Sequence, residues 1–113
     1  MFRTNSNKGF LMEFDNGFGI SVQWGTSNYC SVKNLDEVFN DLEMKGNSKE
    51  FRNAWESNTA EIAVFKGEKM MSVGDNEEVI GWLTTDDVAK VIEIVSKYKT
   101  EITIMKKIIK LNL

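Results

Sequence analysis

The side chains able to do chemistry in this chain are carboxylates, lysines and one thiol, because its 113 residues include no histidine and a single cysteine, Cys30. Without an imidazole there is no His-activated serine or cysteine nucleophile, no His-containing zinc site and no side chain that titrates near neutrality in its unperturbed state. Cys30 follows Asn28 and Tyr29 and has only Lys33 as a nearby cation to favour a thiolate, so a small buried hydrophobe is the simpler reading. The densest group of oxygen ligands, Asp75-Asn76-Glu77-Glu78, lacks the alternating spacing and glycine of an EF-hand and reads as a solvated loop. Glu43-Met44-Lys45 matches a metal-nuclease fragment only as a tripeptide on an exposed helix face. Gly17-Phe18-Gly19 opens like a dinucleotide fingerprint, but Val22 stands where the third glycine belongs and the run sits in a hairpin. No residue is therefore assigned a catalytic, metal-binding or cofactor-binding role.

The elements that must position any site begin with that hairpin. Phe10, Met12 and Phe14 alternate with other residues, Asp15-Asn16-Gly17 intervenes, and Phe18, Ile20, Val22 and Trp24 alternate again. A two-residue Asn-Gly turn would set the two apolar rows on opposite faces. A three-residue loop with Gly17 in the left-handed region pairs Phe14 with Phe18, Met12 with Ile20 and Phe10 with Val22, and so keeps one apolar face. Gly25 to Ser31 reads as a polar loop. Leu35, Val38, Phe39 and Leu42 predict a helix over 34–45 with Asn34 as its cap, and Phe51, Ala54 and Trp55 a second short one over 48–57.

Further strands are predicted over 59–65, 69–73 and 79–83, with Lys66-Gly67-Glu68 as a turn. Val88, Val91, Ile92 and Val95 then mark the buried stripe of a helix capped by Thr84 or Thr85 and ending near Lys97 to Lys99. In the tail, Ile102, Ile104, Ile109, Leu111 and Leu113 alternate as in two short strands, while Ile104, Ile108 and Leu111 suit a helix; β-branching favours strands. The expected fold is one α+β domain over 1–113. It has an antiparallel sheet of four or five strands, one packed C-terminal helix, a helical insertion at 33–57 and a basic C-terminal tail at 100–113.

A net charge of −3 conceals an uneven distribution. From Lys97 onward five lysines oppose Glu101, a surplus of +4, which leaves −7 for the first 96 residues. That acidic body argues against holding duplex nucleic acid, and Arg3 and Arg52 are the only guanidinium groups. A lone cysteine and the lack of a 20-residue apolar run, roughly the length a bilayer requires, lead us to expect a cytoplasmic protein with no membrane anchor. The basic tail could pair with the acidic body of a second copy to give a homo-oligomer.

Three tryptophans and seven phenylalanines exceed what one small core easily hides. Individually Trp24, Trp55 and Trp82 read as core residues; collectively some aromatics mark a protein-binding surface. The partner-binding residues expected are Trp24, Tyr29, Lys33, Phe51, Trp55, Glu77 and Glu78.

The runs Phe14-Asp15-Asn16-Gly17, Ser21-Val22-Gln23-Trp24-Gly25, Asn28-Tyr29-Cys30, Ala60-Glu61-Ile62-Ala63-Val64-Phe65 and Gly81-Trp82-Leu83-Thr84-Thr85-Asp86-Asp87-Val88 resemble a family of small proteins of bacteriophages and other mobile elements. The likeness covers about two thirds of the chain and leaves 33–57 and the tail without counterpart. It implies a setting rather than an activity; in that setting the excess of aromatics beside an absence of catalytic chemistry points to a non-enzymatic inhibitor that occupies the surface of a host protein, such as a CRISPR nuclease complex or another defence effector. Two alternatives stand beside it. One is a domain that sequesters a small molecule or nucleotide in a pocket of Trp24, Tyr29 and Lys33; the other is a metal-dependent enzyme using Glu61 or Asp75.

Overall fold

A computed structural model describes residues 1–4, 8–25, 28–31, 57–73 and 77–113. Their order is β1 (Phe2–Thr4), β2 (Gly9–Glu13), β3 (Phe18–Gln23), β4 (Ala60–Lys66), β5 (Lys69–Met70), β6 (Val79–Leu83), α1 (Thr85–Lys97) and α2 (Glu101–Lys110). The fold is α+β. All strand pairs are antiparallel in the order β1-β2-β3-β4-β5, and β6 also pairs with β4. The helices expected over 34–45 and 48–57 lie, apart from Ser57, outside the described residues, as do Lys33, Phe51, Trp55, Asp75 and the Glu43-Met44-Lys45 tripeptide.

The β2–β3 hairpin has the register that its apolar alternation demands, with Met12 opposite Ile20 and Phe10 opposite Val22. Phe14 N–H donates to the Phe18 carbonyl at 2.8 Å, and Gly17, at φ +88°, turns the chain. β1 adds an edge strand that the sequence does not signal, since only Phe2 of its three residues is apolar.

Every second residue of β3 and β4 faces the core: Phe18, Ile20 and Val22 on one strand and Ala60, Ile62 and Val64 on the other are buried. Val88, Val91 and Val95 of α1 cover them together with Ile104 and Ile108 of α2. Each such side chain contributes roughly 1.5–3 kcal/mol relative to exposure. Thr84 is the cap of α1: its hydroxyl accepts from Asp87 N–H at 3.2 Å while the Asp87 carboxylate accepts from Thr84 N–H at 3.1 Å. At the other end of α1, Asn16 reaches across from the hairpin tip. Its amide donates to the carbonyls of Val95 at 2.7 Å and Tyr98 at 2.8 Å, and its oxygen accepts from Phe18 N–H at 3.0 Å.

The C-terminal segment is a helix and not the pair of strands that its β-branched residues favour. Thr100 caps α2 by accepting from Thr103 N–H at 3.3 Å, and Ile104 and Ile108 are fully buried at helical spacing. Burial on one face outweighs the strand propensity of isoleucine. Ile102 and Ile109 remain exposed on the outer side, and this second apolar set is what makes the alternation resemble strands.

Candidate protein-docking site

Beyond β3 the chain folds back over the ends of β4 and β6, and most of the bonds that hold it there involve side chains. Asn28 accepts from Gly25 N–H at 2.9 Å through its oxygen and donates to Gln23 Oε1 at 3.3 Å and Glu61 Oε1 at 3.1 Å through its amide. Gln23 in turn donates to Ser21 Oγ at 2.9 Å. The second oxygen of Glu61 accepts from Tyr29 N–H at 3.0 Å, so both oxygens of this carboxylate hold the loop. Ser31 is tied to Thr59 by its N–H at 2.8 Å and by its hydroxyl at 2.6 Å.

Tyr29 thereby becomes a neighbour of β6. Its carbonyl accepts from Trp82 N–H at 2.8 Å, and a Cβ at Gly81 would stand 2.4 Å from Tyr29 Cβ, so residue 81 must be glycine for the two segments to approach. Opposite, Ile62 pairs with Ile80 and Ala60 with Leu83, leaving Glu61 alone on β4 against both Gly81 and Trp82 on β6. This extra residue is a β-bulge, and it re-aims the side chains around it. Ile80 and Leu83 both reach the core, which strict alternation would forbid, and Trp82 is turned outward at φ +55°. A bulky residue in the left-handed region is a genuine outlier. The Trp82 ring lies 5.5 Å from that of Tyr29, tilted by 41°, and the two residues are 60% and 57% exposed. Asp86 and Asp87 follow within the first turn of α1.

Four separate sequence runs thus meet at one place: Ser21 and Gln23, Asn28 and Tyr29, Glu61, and Gly81 with Trp82. Among the described residues, Tyr29 is the one expected to bind a partner that the structure places on this surface. Trp82, read as core from the sequence, is instead its most exposed aromatic member, and the glycine directly before it is the only local mark of the bulge.

Trp24 lies elsewhere, edge to face with Phe10 at 6.2 Å, lining an apolar groove of about 480 Å³ with Val22, Leu83, Val88 and Ile92. Tyr29 does not line this groove, so Trp24 and Tyr29 do not share a pocket. Glu77 and Glu78 are exposed just before β6, at the opposite end of that strand from Trp82, where the Glu77 carbonyl accepts from Val73 N–H at 3.0 Å. Cys30 is half-buried with its sulfur 3.5 Å from the Gly25 carbonyl. Among the described residues no three of Cys, Asp and Glu gather as a metal site, and no helix is long and apolar enough to cross a membrane.

Comparisons with protein-family models, with curated proteins and with solved structures return no match for this chain.

Proposed function

We propose that this chain is a binding protein that acts by occupying the surface of another protein, with Tyr29 and Trp82 at the centre of its recognition surface. The observation that carries this reading is the state of Trp82: exposed, in tilted ring contact with Tyr29, and held in a backbone conformation that costs on the order of 1–3 kcal/mol without returning core burial. Exposed aromatics on a rigid frame are the residues on which protein interfaces concentrate their energy. The −7 body suits a partner with a basic surface, such as one that normally holds nucleic acid. With the family resemblance, this gives the fuller proposal: a mobile-element protein, working in the host cytoplasm, that inhibits a host defence effector such as a CRISPR nuclease complex.

The test is paired retrieval from host lysate with the wild-type chain and a Trp82→Gly variant, followed by assay of the retrieved complex. A defence complex captured by the wild type, inhibited by it and lost with the variant supports the proposal; equal capture by both overturns it. A second reading rests on the groove beside Trp24, whose volume falls in the usual range for small ligands. Its described lining carries no lysine or arginine, which favours an apolar ligand over a nucleotide, and thermal stabilisation across a ligand panel would reveal one. The metal-enzyme alternative is weakened by Glu61, both of whose oxygens are engaged with Asn28 and Tyr29.

A further inference from the structure

We infer that the outer face of α2 docks on the Tyr29–Trp82 surface of a second copy of this chain. The inference rests on reading that surface as a protein-docking site, and adds to it a second ligand of the same site. α2 is apolar on two sides. Ile104 and Ile108 are buried against the core, whereas Ile102 and Ile109, two turns apart, are 65% and 55% exposed, and Leu113 just beyond the helix is 43% exposed. Lys106 lies between Ile102 and Ile109 on that outer side, and Lys110 adjoins it; both are exposed. An apolar stripe studded with lysines is poorly matched to itself, since pairing two such helices brings like charges together.

It is well matched to the aromatic surface. Tyr29 and Trp82 offer exposed rings for isoleucine side chains and for the cation–π contacts that ammonium groups make best with tryptophan. Asp86, exposed in the first turn of α1, and Glu61, which holds the Tyr29 amide, supply the opposite sign to Lys106 and Lys110. The charge of the whole chain is divided in the same sense, +4 from Lys97 onward and −7 before it. Two different patches that recognise each other generate a head-to-tail contact, which propagates unless its rotation closes a ring. Self-association then covers Tyr29 and Trp82, so a second copy and a foreign partner compete for one surface.

The experiment is sedimentation velocity of the full chain over a concentration series at low and high salt, for the wild type, Ile109→Glu, Lys110→Glu and Trp82→Gly, each checked for an unchanged circular dichroism spectrum. The wild type is expected to associate, with the constant weakened at least about tenfold by high salt. Each variant alone is expected to stay monomeric. Ile109→Glu mixed with Trp82→Gly is expected to form a dimer and nothing larger, because one variant retains an intact aromatic surface and the other an intact α2. A monomeric wild type at every concentration overturns the inference, as does association that survives either Ile109→Glu or Trp82→Gly. If the monomeric protein instead binds phosphatidylserine vesicles through Lys110 and Ile109, the occupant of α2 is a lipid surface and the inference falls. In each of these failures, Trp82-dependent capture of a host protein would still leave the docking site standing.

Discussion

The tip of the β2–β3 hairpin and the bulge on β6 are both places where the backbone turns left-handed, and they are built from different residues. At the tip the residue is Gly17, with φ +88° and open space around a would-be Cβ, so the turn carries no steric penalty. At the bulge it is Trp82, with φ +55°, although a glycine stands one position earlier. Each place also has an asparagine as a clamp. Asn16 spends its amide on the last carbonyls of α1, tying the sheet to the helix, while Asn28 spends its amide on Gln23 and Glu61, fixing a loop whose outer side shows Tyr29 to solvent. The first region is built for stability. The second accepts strain to present an aromatic surface, and strained residues concentrate where a structure recognises something.

If that contrast is correct, the largest change in stability should follow damage to the hairpin tip. Asn16→Ala removes three hydrogen bonds and leaves the Val95 and Tyr98 carbonyls without this partner, for a loss of about 3 kcal/mol in chemical denaturation. Asn16→Asp keeps the acceptor for Phe18 N–H but places a negative charge at the negative end of α1, and is expected to be no better than alanine. The binding proposed for Tyr29 and Trp82 should survive in the folded fraction of either variant. A loss below about 1 kcal/mol would show that the tip does not carry the helix end.

A smaller loss, about 2 kcal/mol, is expected from Gly81→Ala, because the new Cβ would meet both the Cβ and, at 2.9 Å, the carbonyl oxygen of Tyr29. Here stability and binding should fall together, since the loop must move away from β6 and the aromatic pair separates. Retained binding would mean that Tyr29 and Trp82 act independently.

How much of this was legible in the sequence depends on how far apart the partners lie. The hairpin register follows from alternation alone, because a slip of one residue would expose a whole apolar row. The cap and stripe of α1 are equally local, with Thr84 and Asp87 three residues apart. Asn16 reads only as a turn residue, since its amide bonds reach carbonyls 79 and 82 positions away. Tyr29 was legible as an aromatic in a polar loop, but Trp82 was not: Val79 to Leu83 is apolar at nearly every position, so nothing in its pattern shows which side chain the bulge expels. In α2, apolar residues on two faces fit either strand or helix until the core is seen to cover only one of them.

With Trp82→Gly, stability and binding should part company. Glycine adopts φ +55° without penalty, and that relief offsets the loss of the ring's partial burial beside Tyr29, so stability should change by no more than about 1 kcal/mol in either direction while partner capture is lost. A clear destabilisation would reassign Trp82 from recognition to structure, and the contrast between the two regions would collapse.

The smallest effect belongs to the outer face of α2. Ile109→Glu replaces an exposed side chain in the last turn of a helix whose buried residues are Ile104 and Ile108. A carboxylate there is mildly disfavoured by the helix dipole but displaces no core atom, so thermal unfolding at a concentration where the chain is monomeric should shift by no more than about 0.5 kcal/mol. The same substitution should abolish self-association. A residue whose change leaves the monomer intact and removes only its contacts with other molecules is one that folding does not need, and that places Ile109 with Trp82 rather than with Asn16. If Ile109→Glu instead unfolded the monomer, the outer stripe of α2 would belong to the core and would not be free to meet a second copy.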